Sequence, residues 1–325
     1  MKTFIARIFF LFIGIFSIST LCAIGVLERN VIQNKISFYA EPQKVYSPSI
    51  FETMTFADET IPFHRYDVRE RFDRELLAFT YMHSTTFLLI KRSNLYFPVI
   101  DSILKKNGVP TDFKYLALTE SYFNPLAVSP AKAAGIWQFI ASTAQSYGLE
   151  VSEQIDERYD LEKSTVAFCK YIKEAYEVYG NWTTAAASYN GGRSRISTQL
   201  KKQNVSSFFD LYLNEETTRY VYRILAAKEV IAHPWKYGFV LSKQDFYHTV
   251  NVREISVDST IADWAVWAQQ QNVSYSQLRY FNSWIRDPRL DNPNKKTYKV
   301  KIPLTEDLDF NIDKVFIYNK EWLNE

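Results

Sequence analysis

The chain has 325 residues, 47% of them hydrophobic and 23% charged, which is the composition of folded sequence and enough for one large domain plus a small one. A net charge of +2 lacks the basic excess of a nucleic-acid binder, so no nucleic-acid partner is expected. Two cysteines and four scattered histidines give no disulfide framework, no HExxH and no Cys/His cluster, and neither a metal nor another cofactor is expected.

Lys2 and Arg7 precede an uncharged stretch from Ile8 to Leu27, about as long as a bilayer is thick. Residues 1–27 therefore read as a signal peptide or an N-terminal membrane anchor, and either places the chain from residue 28 onward outside the cytoplasm. Leu21, directly before Cys22, fits a lipoprotein signal badly. Residues 28–65 are polar and punctuated by Pro42, Pro48 and Pro62, as in a linker or an ordered arm. From Tyr66 onward apolar residues recur at spacings of three and four, predicting helices over Val68–Thr80, Thr85–Asn107, Thr111–Ser121, Ser142–Tyr147, Leu161–Tyr179, Thr183–Tyr189 and Glu215–His233. Asp112 is a plausible N-cap after the Asn107-Gly108-Val109-Pro110 break, and Gly148, Gly180 and Pro234 stop three of the helices. After Phe246 a strand (Tyr247–Ile255), two short helices (Ile261–Gln271 and Ser276–Phe281) and a second strand (Tyr298–Ile302) suggest a separate small unit. The domains expected are thus 66–245 and 246–325, in a mainly α chain.

Glu120 is the strongest candidate for chemistry. Phe113, Leu116, Ala117 and Glu120 fall at helical offsets 0, 3, 4 and 7, so a carboxyl group shares a face with three apolar side chains. Burial disfavours its ionised form, and a carboxylic acid protonated near neutrality can serve as a general acid. A small-residue loop at Ala133-Ala134-Gly135 comes next, then Ile136-Trp137-Gln138-Phe139. Arg193, Arg195, Lys201 and Lys202 form a basic cluster that reads as a solvated face.

Several segments together resemble the family 1 lytic transglycosylases of bacterial cell walls. They are Glu120-Ser121-Tyr122-Phe123-Asn124-Pro125, Gly135-Ile136-Trp137-Gln138-Phe139, Ala187-Ser188-Tyr189-Asn190-Gly191-Gly192 and Glu216-Thr217-Thr218-Arg219-Tyr220-Val221. The pentapeptide at Gly135 and Asp156-Glu157-Arg158 are similar to the membrane-bound transglycosylase D branch. The resemblance implies a fold of the α+β lysozyme-like superfamily. The last unit resembles a diverged LysM module: Leu278–Asn282 and Lys301-Ile302-Pro303 match, while Val257-Asp258-Ser259-Thr260 replaces the usual Gly-Asp-Thr start. It reads either as a glycan-binding module or as a packing domain.

The resemblance implies an exported, periplasmic or envelope enzyme acting on peptidoglycan glycan strands, with Glu120 as acid and then base. It would cut the MurNAc-β-1,4-GlcNAc bond without water and leave 1,6-anhydro ends. Four residues are carried over as substrate-binding: Ser129, Gln138, Tyr189 (whose hydroxyl would orient the acid or stabilise charge on the sugar) and Glu216 behind the helix of Tyr220. Taken alone, Ser129 is a turn residue, Gln138 a hydrogen-bonding core residue and Glu216 a structural acid. Two rival functions remain: a goose-type-like muramidase, which needs a further carboxylate for which Asp156 and Asp160 are nearest in sequence, and a non-catalytic peptidoglycan-binding protein.

Overall fold

The computed structural model describes residues 45–323. The candidate signal or anchor at 1–27 lies outside them, and no helix among the described residues is long and apolar enough to cross a membrane.

A short hairpin opens the fold, β1 (Thr55–Phe56) pairing with β2 (Glu59–Thr60). Its turn residues Ala57 and Asp58 both take positive φ, the conformation of a tight two-residue hairpin. Phe56 is fully buried edge-on against Phe113, ring centroids 5.2 Å apart, so this part of the proline-punctuated segment is packed. Helices α1 (Tyr66–Tyr81), α2 (His83–Lys106) and α3 (Phe113–Ser121) come next. Alpha-helix α1 buries Val68, Phe72, Leu76 and Phe79, one stripe at helical spacing. Every residue of α3 from Phe113 to Leu118 is buried, so it is a core helix. A short α4 (Ala141–Ser146) leads to α5 (Leu161–Tyr179), α6 (Trp182–Gly191), α7 (Arg193–Gln203) and α8 (Glu215–Ala232). Ala185, Ala186, Ala187 and Ser188 of α6 are all fully buried, and such small side chains let α6 lie close to its neighbours. A Cβ on Gly191 would come within 2.9 Å of Thr217 on α8.

One expectation is corrected, and one helix is added. Asp112 does not cap α3: its carboxylate accepts from Ala57 N at 2.7 Å and Lys228 Nζ at 2.6 Å, a backbone donor and a cation that outcompete a local cap. The basic cluster belongs to an additional helix, α7, of which only Ile196 is buried. One apolar residue leaves no periodic stripe to detect.

The second unit pairs β3 (Val252–Val257) antiparallel with β4 (Tyr298–Pro303), in register from Val252 opposite Pro303 to Val257 opposite Tyr298. Between them lie α9 (Trp264–Gln270) and α10 (Tyr275–Phe281). Its core of Val257, Trp264, Leu278, Ile285, Leu290, Val300 and Ile302 also takes in Ala134, Ile155 and Tyr159 from the helical part. Asn282 is completely buried and fully satisfied. Its amide donates to Leu278 O (2.9 Å) and Lys301 O (2.7 Å), and its carbonyl accepts from Lys301 N (2.8 Å), which locks α10 to β4. The mainly helical class with small two-stranded sheets is as the sequence implies.

Beyond β4 the chain returns to the helical core. Trp322 is buried, stacks on Phe246 with centroids 5.9 Å apart, and donates from Nε1 to Ile231 O at 2.6 Å. Tyr318 joins Lys114 of α3 and Asp101 of α2, with Lys114 Nζ 2.8 Å from the tyrosine oxygen and 3.1 Å from Asp101. The small unit is thus tethered at both ends. Trp322→Ala should cost about 3–5 kcal/mol, the range for deleting a buried tryptophan. Urea unfolding of the full chain followed by far-UV circular dichroism measures this; a loss under about 1 kcal/mol would mean the tail is dispensable.

Candidate active site

Alpha-helix α3 ends one residue after Glu120. Tyr122 and Phe123 both take left-handed φ, 50° and 49°, which costs energy for residues with a Cβ. The turn is held because Phe123 is fully buried beside Phe97 and Tyr96, and Arg92 Nη1 donates to Tyr122 O at 2.8 Å. The abrupt turn leaves Glu120 at the edge of the core, partly buried.

Across from it lies α8. The Tyr220 hydroxyl donates to Glu120 Oε1. At the other end of α3, Lys228 bonds Asp112, so 112 meets 228 and 120 meets 220: equal steps along two helices in opposite senses. This pair of contacts sets the antiparallel register of the two helices. Burial pushes the Glu120 carboxyl up from its ordinary 4.5 to about 7; the Tyr220 hydrogen bond and the Arg223 charge pull it down, and the Glu216 charge pushes it up. Arg223 lies 3.6 Å from Glu75, a buried carboxylate on α1 that also holds Arg219 at 2.6 Å.

Tyr189 stands beside the site, and the nearby Glu120 charge helps, after burial, to hold its phenol well above its ordinary pKa. Its hydroxyl donates to Trp137 O at 2.6 Å, and of the two roles implied for Tyr189, orienting the acid or stabilising charge on the sugar, the first is filled by Tyr220. Tyr220 lies in the quoted Glu-Thr-x-x-Tyr-Val segment, one helical turn beyond Glu216, which was the available signal. Glu216 is exposed in the first turn of α8; Asn190 Nδ2 approaches it at 3.4 Å, and its reach to Glu120 is through charge. Gln138 takes a positive φ of 51°, and its Nε2 donates to Gly135 O (2.8 Å) and Ala127 O (3.2 Å), which commits the amide nitrogen and leaves Oε1 for a ligand. Ser129 forms the turn before it: its Oγ accepts from Ala133 N at 3.1 Å. Trp137 is fully buried and stacked on Phe168 at 3.8 Å, a wall of the core.

The loop carrying Gln138 is pinned from behind. Gly135 has φ +78°, and a Cβ there would lie 2.0 Å from Arg158 O, so only glycine fits. The Arg158 guanidinium, neutralised by Asp156 at 2.6 Å, donates to the carbonyls of Lys132 (2.9 Å) and Phe139 (3.0 Å). Asp160 caps α5 by accepting from Lys163 N at 2.9 Å. Both aspartates are therefore bound up in structure. Among the described residues no group of three or more His, Cys, Asp or Glu side chains is placed to hold a metal ion.

The Transglycosylase SLT domain family matches residues 98–211. The family described as Soluble lytic transglycosylase C-terminal LysM-like domain matches residues 253–306. Membrane-bound lytic murein transglycosylase D of Escherichia coli (strain K12) is 30% identical over 228 residues, covering 69% of this chain and 49% of the relative. Membrane-bound lytic murein transglycosylase F of Pectobacterium atrosepticum is 23% identical over 218 residues, covering 63% and 43%. The chain spans about half the length of the curated relatives it matches. Among solved structures, the 70 kDa soluble lytic transglycosylase of Escherichia coli is 21% identical with a TM-score of 0.37, covering 43% of this chain and 24% of that one. A lytic transglycosylase Slt of Pseudomonas aeruginosa is 18% identical with a TM-score of 0.36, covering 43% and 24%.

A carboxyl raised from 4.5 to about 7 makes its own stability prediction. Between those values the folded chain binds more protons than the unfolded one, so the stability present below 4.5 is lost as pH rises through about 7. Glu120→Gln removes that loss and should stabilise the chain at pH 8 relative to pH 4 by about 3 kcal/mol. Carbon-detected NMR of the carboxyl should give an apparent pKa near 7, and Tyr220→Phe should move it upward. A midpoint near the ordinary 4.5 would contradict the burial argument.

Proposed function

With a transglycosylase SLT domain and a LysM-like C-terminal domain in one chain, we propose that the protein is an exported lytic transglycosylase that cuts peptidoglycan glycan strands and leaves 1,6-anhydromuramic acid ends. The observation that carries this reading is Glu120, a partly buried carboxyl at the end of α3 that accepts from the Tyr220 hydroxyl and whose pKa burial pushes up to about 7.

Protonated Glu120 gives its proton to the glycosidic oxygen, and the bond to the muramic acid C1 breaks. The resulting carboxylate, stabilised by Tyr220 and by the charge of Arg223, takes the proton of the C6 hydroxyl. O6 then closes on C1. The acid is restored, one ring replaces one glycosidic bond, and no water enters. The aspartates nearest in sequence are not free to activate water, since Asp156 is paired with Arg158 and Asp160 caps a helix. Gln138 Oε1, the Ser129 hydroxyl and Tyr189 line the groove for substrate, with Tyr189 fixing the Trp137 carbonyl instead of the acid. Residues 66–245 carry the reaction and residues 246–325 contain the appended module. The protein works in the cell envelope, on the outer side of the membrane that residues 1–27 engage.

A hydrolytic route has one foothold in the site. Glu216 is exposed and its charge reaches Glu120, so it is the carboxylate such a route would use on water. Mass spectrometry of digested sacculi separates the two. Anhydro ends are expected; reducing ends, heavier by one water, would replace the proposed reaction with hydrolysis. Glu120→Gln should lower turnover at least ~100-fold, the scale of a lost general acid, while wall binding persists. Undiminished lysis by that variant would remove Glu120 from the mechanism.

A further inference from the structure

A cavity of about 380 Å³ lies between the helical part and the LysM-like unit. On one side it is lined by Asn124, Pro125 and Leu126, the first residues after the turn that ends the Glu120 helix, and by Ile136, next to Trp137. Leu126 is 57% exposed. The other side is the C-terminal end of α10, with Arg279 and Tyr280. The lining residues Asn124, Pro125, Leu126 and Ile136 lie between Glu120 and Gln138 in the chain.

Three observations say what it would hold. Tyr280 is 77% exposed, a large aromatic face left in solvent at the mouth of the cleft. Arg279 makes one hydrogen bond, from Nη1 to the Tyr275 hydroxyl at 2.6 Å, lies over the Tyr275 ring at 5.5 Å, and has no carboxylate partner among the described residues. Its Nε is buried with nothing to donate to, an unmet charged donor of the kind that costs free energy until an anion arrives. The other charges in the cleft are already engaged: Lys301 pairs with Glu162 at 2.8 Å, and Asp160 accepts from Lys163 N. An unfilled guanidinium beside an exposed aromatic ring matches a sugar ring carrying a carboxylate.

We propose that this cleft is an accessory site for the uncleaved part of a peptidoglycan strand, one sugar ring stacking on Tyr280 and a lactyl-peptide carboxylate meeting Arg279. The inference rests on the reaction proposed above for its substrate class. It assigns the diverged LysM-like unit a role through the face that lines this cleft, and it makes strand binding a joint property of the two units.

The test uses the full chain carrying Glu120→Gln, so that strands bind without turnover, and purified glycan strands with their peptides attached or removed. In titration calorimetry Arg279→Ala should weaken binding of peptide-bearing strands about tenfold and that of peptide-free strands much less. Tyr280→Ala should weaken both kinds several-fold. Arg279→Gln, which keeps a polar side chain but not the charge, should match Arg279→Ala, while Arg289→Ala, an exposed arginine that does not line the cleft, should bind as the parent does. Circular dichroism melts confirm that each variant is folded. Unchanged binding in both Arg279 variants and in Tyr280→Ala overturns the inference, as does failure of the parent to bind strands. If the unmodified chain yields anhydro ends and these variants bind normally, the inference alone fails. If the variants lose binding and digestion yields reducing ends, the proposed reaction alone fails.

Discussion

The hydrogen bond from Tyr220 to Glu120 closes a separation of 100 residues, and the arrangement of the helical part can be understood as what keeps it closed. A short helix ending in a carboxyl group has to meet a long helix at one hydroxyl. Lys228 on Asp112 fixes the far end of the same pair, so a slip of one residue along either helix would break both contacts. Around this pair the packing is dense: Val221, Ile224, Leu225 and Val230 of α8 and Leu116, Ala117 and Leu118 of α3 are all buried. Dense packing limits water around the carboxyl, and that partial desolvation favours its protonated form.

The charges nearby serve the same end. Arg219 and Arg223 leave α8 on the side of Glu75, and that buried carboxylate takes Arg219 at 2.6 Å and Arg223 at 3.6 Å. Arg223 is thereby kept as a field acting on Glu120 and not as a contact partner. A direct ion pair would lower the carboxyl well into the ionised range and remove the acid. Glu75 therefore does two things at once: it ties α1 to α8, and it holds the Arg223 guanidinium away from direct pairing with Glu120.

Much of this was legible in the chain. The spacing of Phe113, Leu116, Ala117 and Glu120 puts a carboxyl on an apolar face, and α3 is buried as that pattern requires. Helices with a repeating stripe, such as α1 and α5, were readable for the same reason. The partner of Glu120 was not, because a contact between α3 and α8 has no local periodicity; the Glu216–Val221 segment contains Tyr220 but gives it no role toward Glu120. Asp112 shows the converse error. Its local context is that of a cap, and the tertiary partners Ala57 and Lys228 override it. Likewise, the return of Val315 and Trp322 to the helical core depends on surfaces created by Ile231 and Phe246, far away in sequence.

The segment Asp156-Glu157-Arg158, which marks a branch of a family when read as letters, is physically a joint. Arg158 reaches back to the carbonyls on either side of the Gln138 loop, and its own carbonyl fills the space where Gly135 lacks a side chain. Glu157 is buried between Lys163 of the helical part, at 2.5 Å, and Lys296 of the LysM-like unit, at 3.7 Å. Asp156 N donates to Trp284 O at 2.9 Å, and the adjoining Ile155 forms a bridge with Ile285. Three consecutive residues thus hold the groove loop on one side and the appended unit on the other. A buried charge left unpaired at any of them is costly, so the loop and the unit are fixed by the same interactions. The position of the Gln138 loop relative to the LysM-like unit is in that sense set by residues 156–158.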